Sequence, residues 1–366
     1  MVPQRRREAR LRQLYSLNRW TLAQSAPAVG AGLGNCLSWA AGTPNPGFDY
    51  NEFTIPPRGG NRYTGLPAAE CGSSTSSPCR RNRLTDTSRS EQASRLRNKK
   101  IAVLGAGKMG GLILRALLDS GAVDEQHLCA TVEHEREARE TRQKLGFNNI
   151  GVSNADAART ADVVLLCVKP PVAGKVLQMI RPTLSRDAQV ISIVTGVSTK
   201  DIEGLLEPNV PVVRAMPNTA CRIGCGMTAL CAGTCAQESH MALADTVFSL
   251  MGRTAEVDEI HMDAVTGLSA SGPAFIYIVL EALAEGGVRV GLSREIATIF
   301  AANAALGAAS MVLKTGSHPA LLKDEVTTPA GCTIDGILEL EEGNIRATLI
   351  KAITTTTRKA SQLARS

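Results

Sequence analysis

Short, almost purely apolar runs alternate with helical patterns through the middle of the chain. Such runs stand within KKIAVLGAG, HLCATVE, ADVVLLCVKP, AQVISIVTG and VPVVRAMPN. The intervening segments LILRALLDSGAV and HEREARETRQKLGF are typical of helices. A strand that is apolar along its whole length is buried on both faces. The pattern therefore predicts a parallel sheet covered by helices on both sides.

Beyond about residue 260 the chain becomes helical and rich in Ala and Gly. The segments SGPAFIYIVLEALAEGGVRVG and SREIATIFAANAALGAASMVLKTG have this character, and 333–364 is helical again. The small-residue surface of 273–313 is more than one short domain can easily bury. We therefore expect at least a homodimer, with a higher homo-oligomer as the alternative.

The first 97 residues lack a sustained apolar period. They are rich in Gly, Pro, Ser and Arg, which indicates disorder. They hold 14 Arg, no Lys and 6 acids, a net charge of +8, so the rest of the chain carries −2 of the total +6. A transit peptide and an overextended start are alternatives for this segment. Because the basic charge belongs to the extension, it does not indicate nucleic-acid binding by the body.

Composition limits the other function classes. The 366-residue chain is 44% hydrophobic, and no uninterrupted apolar run approaches the ~18–20 residues of a membrane span. The ten cysteines are scattered, and those at 221, 225, 231 and 235 lack the paired spacing of common zinc sites. We expect no metal and no membrane partner. Free thiols in a reducing compartment favour a cytoplasmic protein, with organellar import through the extension as the alternative.

A dinucleotide fingerprint follows the first apolar run and opens a helix, which is its required context. It consists of Gly105, Ala106, Gly107, Lys108, Met109 and Gly110. Glu133, after the second run, could hold the ribose of NAD, whereas Thr131 and Arg136 could receive a 2′-phosphate. The motif and the pattern together predict an α/β Rossmann-type N-terminal domain over 98–260. An all-α C-terminal domain, expected to dimerise, follows over 261–366, and a disordered extension covers 1–97.

A second distinctive stretch, DEVTTPAGCTIDG, occupies 324–336. Small hydroxyl residues around a Pro and a Gly predict a turn that leads into a helix N-terminus. Such a terminus offers unpaired N–H groups and the positive end of the helix dipole to an anion.

With these motifs, and with Val168-Lys169-Pro170, MPN (216–218), DAVTGLSASGPAF (263–275) and HPALLKDEVTTPAGCTIDGI (318–337), the chain resembles the pyrroline-5-carboxylate reductase family. The resemblance covers about 99–364. The family's closing signature usually reads D-x-V-x-[ST]-P-G-G-x-T, and Ala330 replaces its first glycine. A methyl group is tolerable there unless the backbone needs a positive φ.

The resemblance implies reduction of 1-pyrroline-5-carboxylate to L-proline by hydride transfer from NADPH, with NADH as a possible donor. The substrate carboxylate would bind backbone N–H groups near Gly331, Cys332 and Thr333, with Thr328 and Val326 nearby. The Thr333 hydroxyl would lie by the ring nitrogen as the catalytic residue. Glu259 would be a substrate-side acid. The cofactor side would include Thr131, Asn154, Val168, Lys169, Pro170, Thr195, Gly196 and Asn218.

Three other functions compete with this one. A β-hydroxyacid dehydrogenase requires a lysine early in the helical domain. No lysine occurs between Lys200 and Lys314, which argues against this activity. A reductase of another cyclic imine remains open, although the anion-binding turn favours a carboxylated substrate. A non-catalytic dinucleotide sensor would need only the first glycine motif.

Overall fold

The computed structural model describes residues 95–363, which contain one eight-stranded sheet. Its strands are β1 Ile101–Leu104, β2 Leu128–Thr131, β3 Ile150–Gly151, β4 Val163–Leu166, β5 Gln189–Ser192, β6 Val212–Met216, β7 Gly226–Ala232 and β8 Gly252–Glu256. Their spatial order is β3-β2-β1-β4-β5-β6-β7-β8. Within this sheet the pairing of β6 with β7 is antiparallel and the other pairings are parallel, so β7 and β8 both run opposite to the first six strands. The order reverses direction between β1 and β4, where ligands of such sheets bind.

Helices cover both faces of this sheet. They are α1 Lys108–Ser120, α2 Glu135–Leu145, α3 Asn154–Arg159, α4 Pro170–Ile180, α5 Thr199–Glu203 and α6 Glu238–Ser249. Both α1 and α2 end at a glycine in the left-handed conformation, Gly121 and Gly146, a common way to stop a helix. Residues of β1 alternate between two apolar cores, with Ile101 in one and Ala102 in the other. This two-sided burial is the reason that the central strands are apolar throughout.

The rest of the described chain is helical. It comprises α7 Met262–Val265, a π-helical turn Thr266–Ala270, α8 Gly272–Arg289, α9 Arg294–Thr315, α10 Pro319–Val326, α11 Cys332–Glu342 and α12 Ile345–Leu363. The long helices α8 and α9 pack through small residues, and a Cβ on Gly287 would lie 2.8 Å from that of Ala297. The last helix returns to the start of this region, where a Cβ on Gly267 would meet Thr357 Oγ1 at 2.3 Å.

The helical region exposes much apolar surface in a single chain. Large exposed side chains include Ile276, Tyr277, Ile278, Ile299, Phe300, Leu306, Leu313, Leu338 and Ile350. By length and composition alone, Glu259–Arg289 and Arg294–Thr315 would be able to cross a membrane. Such a surface needs an apolar partner.

The predicted fold class is confirmed: a Rossmann-type sheet domain precedes a helical domain. Three strands were not predicted, namely the two-residue β3 and the pair β7 and β8. The predicted extension over 1–97 lies outside the described residues except for its last three. Of these, Leu96 is fully buried in the core that contains Ile101 and Phe147, so the folded part includes at least this residue.

Candidate active site

The turn after β1 needs glycine at two positions, Gly105 and Gly110. Gly105 has a φ of +94°, a conformation that disfavours other residues, and its N–H donates to Thr131 O at 3.1 Å. A Cβ on Gly110 would lie 2.1 Å from Gly105 O and 2.9 Å from the Cβ of Cys167. Glycine at these two positions therefore lets α1 start directly against the turn and the end of β4.

The start of α1 is open to an anion. Gly107 is exposed, and a Cβ there would meet nothing within 4 Å. No side chain caps this helix and its first turn holds no acid, so its first N–H groups keep their positive potential. Ala106 is buried, Met109 is half-buried and Lys108 is exposed. These features fit the pyrophosphate of a dinucleotide.

Thr131 and Asn154 lie together beneath this turn. The Thr131 hydroxyl is buried and donates to Asn154 Oδ1 at 2.6 Å, while Gly105 N–H donates to the same hydroxyl at 3.3 Å. Thr131 thus supports the turn through its hydroxyl. Glu133 and Arg136 are both exposed after β2, and Arg136 is paired with Glu140 at 3.7 Å.

The other cofactor-side residues follow neighbouring strands at the same edge of the sheet. Val168, Lys169 and Pro170 join β4 to α4, and a Cβ on Gly105 would contact Val168 Cγ1 at 3.0 Å. Thr195 and Gly196 follow β5, with a φ of +76° at Gly196. Asn218 follows β6, where its Oδ1 accepts from Ala220 N–H at 3.1 Å and from Met227 N–H at 3.4 Å. The sheet thus brings the predicted cofactor residues to one edge.

The predicted substrate turn is a tight reversal between α10 and α11. Gly331 N–H donates to Thr328 O at 3.0 Å, and Ala330 has a φ of +56°. With Pro329 at its second position, this is the pattern of a type II turn, whose third residue is usually glycine. Ala330 therefore occupies a position that needs a positive φ. A Cβ on Gly331 would lie only 2.4 Å from Thr328 Oγ1. Glycine at 331 therefore lets the backbone come close to the Thr328 side chain.

Beyond this turn, α11 starts with Cys332 and Thr333, and no side chain caps it. Thr333 is half-buried, whereas Val326, Thr328 and Cys332 are exposed. The hydrogen bonds that the structure describes for 326–333 are local, as from the Thr327 hydroxyl to Lys323 O at 2.9 Å. None of those described within 95–363 joins this turn to the glycine turn of β1.

Glu259 lies elsewhere, in an ion pair with Arg214 on β6. Arg214 is 3% exposed and was not among the predicted site residues. Burial, together with the Glu259 carboxylate, raises the pKa of the neighbouring Cys231 thiol to about 12. The signal for Arg214 was present in VPVVRAMPN, as a single charge inside an otherwise apolar strand.

The cysteines between 221 and 235 do not converge. Cys221 and Cys231 are buried and Cys225 is exposed, and all are free thiols. Within the described range, no group of three or more His, Cys, Asp or Glu side chains has a metal-binding arrangement.

Comparison with known proteins identifies two family models along the chain. The model described as "Pyrroline-5-carboxylate reductase dimerisation" matches residues 259–363. That described as "NADP oxidoreductase coenzyme F420-dependent" matches 100–196.

The chain aligns with curated relatives over nearly the whole length of those relatives. Pyrroline-5-carboxylate reductase of Arabidopsis thaliana is 38% identical over 73% of this chain and 96% of its own. The Escherichia coli K12 enzyme of the same name is 34% identical over 73% and 99%.

Solved structures agree with these relatives. Plasmodium falciparum pyrroline carboxylate reductase with NADP bound is 28% identical, with a TM-score of 0.67 over 74% of this chain and 99% of that one. A pyrroline-5-carboxylate reductase from Coxiella burnetii is 32% identical, with a TM-score of 0.67 over 73% and 99%. From its two glycine turns to its helical C-terminal region, the chain belongs to the pyrroline-5-carboxylate reductase family.

Proposed function

We propose that this protein reduces 1-pyrroline-5-carboxylate to L-proline with NADPH. The observation that carries the proposal is the presence of both halves of the reductase site in one chain of the family. The glycine turn of β1 fits a dinucleotide, and the turn over 326–333 leads into an uncapped helix N-terminus. A non-catalytic sensor would need only the first of these.

The residues at the sheet edge would hold the cofactor. The N–H groups at the start of α1 would bind the pyrophosphate, and the free space at Gly107 would admit it. The turns at Val168–Pro170 and Thr195–Gly196 would contact the nicotinamide side of the cofactor. When bound, NADPH supplies the hydride that reduces the imine carbon. Arg136, exposed after β2, is available to a 2′-phosphate.

The second turn would hold the substrate. Its carboxylate binds the uncapped N–H groups of Cys332 and Thr333, beside Gly331, whose own N–H donates to Thr328 O. The dipole of α11 favours an anion at this point. The Thr333 hydroxyl then lies by the ring nitrogen. Because a Thr hydroxyl is a poor acid, its contribution is orientation by a hydrogen bond, and the proton comes with the iminium or from water.

The assay is oxidation of NADPH by purified protein in the presence of pyrroline-5-carboxylate, with proline as the product to be detected. Thr333→Ala should lower kcat by roughly thirty- to a thousandfold, equal to about 2–4 kcal/mol of lost transition-state stabilisation. The dissociation constant of NADPH should hardly change, because the glycine turn is a separate element.

Thr333→Ser is the matched control and should retain most activity. If the Ala variant melts at a lower temperature but turns over normally, Thr333 is only structural. If NADPH binds and proline does not form with the wild-type chain, a sensor or another imine reductase replaces the proposal.

We also propose that the active protein is a homodimer or a higher homo-oligomer. The exposed apolar surface of α8 and α9 lies within the span of the dimerisation model, which favours a second copy over a bilayer as its partner. Light scattering at micromolar concentration and vesicle flotation distinguish the two. A monomer that floats with lipid would contradict this assignment.

A cytoplasmic location is a further proposal. It is supported by the free cysteines of the described range, as expected in a reducing compartment. The alternative is organellar import through the basic N-terminal segment. A fluorescent fusion to the C-terminus of the full chain distinguishes them, and fluorescence confined to an organelle would contradict the proposal.

A further inference from the structure

Glu259 is the centre of a polar cluster between the sheet and the base of the helical region. Its carboxylate accepts hydrogen bonds from the buried Arg214 guanidinium and from the Thr199 hydroxyl at 2.9 Å. The Thr199 N–H lies 3.4 Å from the same carboxylate, and the Cys231 thiol donates to it at the same distance. The carboxylate therefore connects α5, β6 and β7 at once.

A second carboxylate extends the cluster to the end of the chain. Arg214 Nη2 lies 3.6 Å from Asp263 Oδ1 at the start of α7. The Ser361 hydroxyl of α12 donates to the other oxygen of Asp263 at 2.8 Å. Arg214 is thus held between Glu259, just before the helical region, and Asp263 at the start of that region, and the last helix is joined to the same point.

Within the described chain, the cluster buries donor groups of Arg214 without completing their hydrogen bonds. Arg214 is 3% exposed, yet its Nε and Nη2 atoms have no hydrogen bond within the described residues. Burying such donors costs free energy, and a well-packed apolar group can be as stable at such a position. The presence of the Arg214 charge at such a buried position therefore favours a role in fixing the relative positions of the elements that contact it.

The position of Thr199 indicates which geometry is fixed. Thr199 is the first residue of α5 and follows the turn 193–198, which includes Thr195 and Gly196. Gly196 has a φ of +76°, and this turn is the one that we place beside the nicotinamide. The Glu259 carboxylate thus holds the end of the turn through both the backbone N–H and the side-chain hydroxyl of Thr199.

We propose that Glu259 is a positioning residue, which ties the nicotinamide-side turn 193–198 to Arg214 and to the base of the helical region. This role replaces the direct contact with substrate that its sequence position suggested, and it rests on the proposed reductase function. The tie would keep the hydride donor and the imine carbon correctly positioned for transfer, because small displacements of reacting atoms lower the reaction rate.

Two conservative substitutions test the tie. Glu259→Gln keeps the size of the side chain and removes its charge, and Thr199→Val removes one hydroxyl. Each should lower kcat about tenfold while the dissociation constant of NADPH stays within about twofold, because the pyrophosphate binds at a different turn. Amide hydrogen exchange over 195–199 should become faster in both variants, since the hydrogen bonds that end the turn are weakened.

The matched control is Asp258→Asn at the neighbouring exposed carboxylate, whose side chain caps no helix N–H. It should leave kcat and the exchange rates unchanged. If Glu259→Gln and Thr199→Val lower only the melting temperature, with normal kcat and exchange, the cluster is purely structural and the proposal is overturned. If the wild-type protein does not reduce the imine, the proposed function fails, and the exchange rates still decide whether Glu259 holds the turn.

Discussion

Ala330 has a φ of +56° in the turn that we propose binds the substrate. An L-residue in this conformation costs roughly 1–2 kcal/mol, because its Cβ approaches the neighbouring carbonyl oxygen. The flanking turn residues Thr328 and Pro329 are exposed, so packing offers little compensation. The strain therefore favours a type I turn, in which this residue has a negative φ and the peptide between Pro329 and Ala330 is flipped.

Ala330→Gly should remove this bias. If the type II form binds the substrate, a larger competent fraction lowers KM, by about two- to fivefold, and leaves kcat unchanged. Steady-state kinetics with varied pyrroline-5-carboxylate would measure the change. Ala320→Gly, in the nearby helix α10, is the control and should lower stability without changing KM. An unchanged KM in Ala330→Gly would show that the alanine does not limit the type II form, and a higher KM would show that the substrate binds another form of the turn.

Among the elements, the β1–α1 junction has little steric freedom. A Cβ on Gly110 would collide with both Gly105 O and the Cys167 side chain. Gly110→Ala should displace the glycine turn, raising the dissociation constant of NADPH at least about tenfold and costing roughly 1–3 kcal/mol of stability. Fluorescence titration and thermal melting would measure both effects.

The matched control is Gly174→Ala within α4, where a new Cβ would lie 3.8 Å from Leu205 Cδ1, an ordinary contact. Since alanine is the better helix former, this variant should be slightly more stable and bind NADPH normally. Normal cofactor affinity in Gly110→Ala would mean that the turn adapts and does not define the site.

The elements also show how far the sequence predicts this fold. Strands such as β4, Val163–Leu166, are buried on both faces, so every residue is apolar and the pattern is plain. The edge strand β8, Gly252–Glu256, mixes exposed and buried residues and begins with glycine, so it carries no such pattern. The partners of Arg214 could not be predicted, because Glu259 and Asp263 reach it only when the helical region folds against the sheet. The positive φ of Ala330 is likewise a property of the folded turn.

At the scale of the whole molecule, the two predicted halves of the site remain to be joined. The turn over 326–333 makes local hydrogen bonds in the described chain, and much of the apolar surface of the helical region is exposed beside it. A homodimer would cover that surface. If the dimer also set the substrate turn of one copy against the sheet edge of the other, each site would be shared between the copies.

Mixed dimers test this sharing. Gly107→Asp adds a carboxylate where a Cβ has free space, so the fold should survive while the pyrophosphate is repelled. Thr333→Ala disables the other half of the site. Each variant alone should be nearly inactive. If both are co-expressed at equal levels and the sites are shared, half of the dimers are mixed and each of these has one intact site, which restores about a quarter of wild-type activity. Sites built within single chains would stay inactive in every mixture, and that result would assign both halves to the same copy.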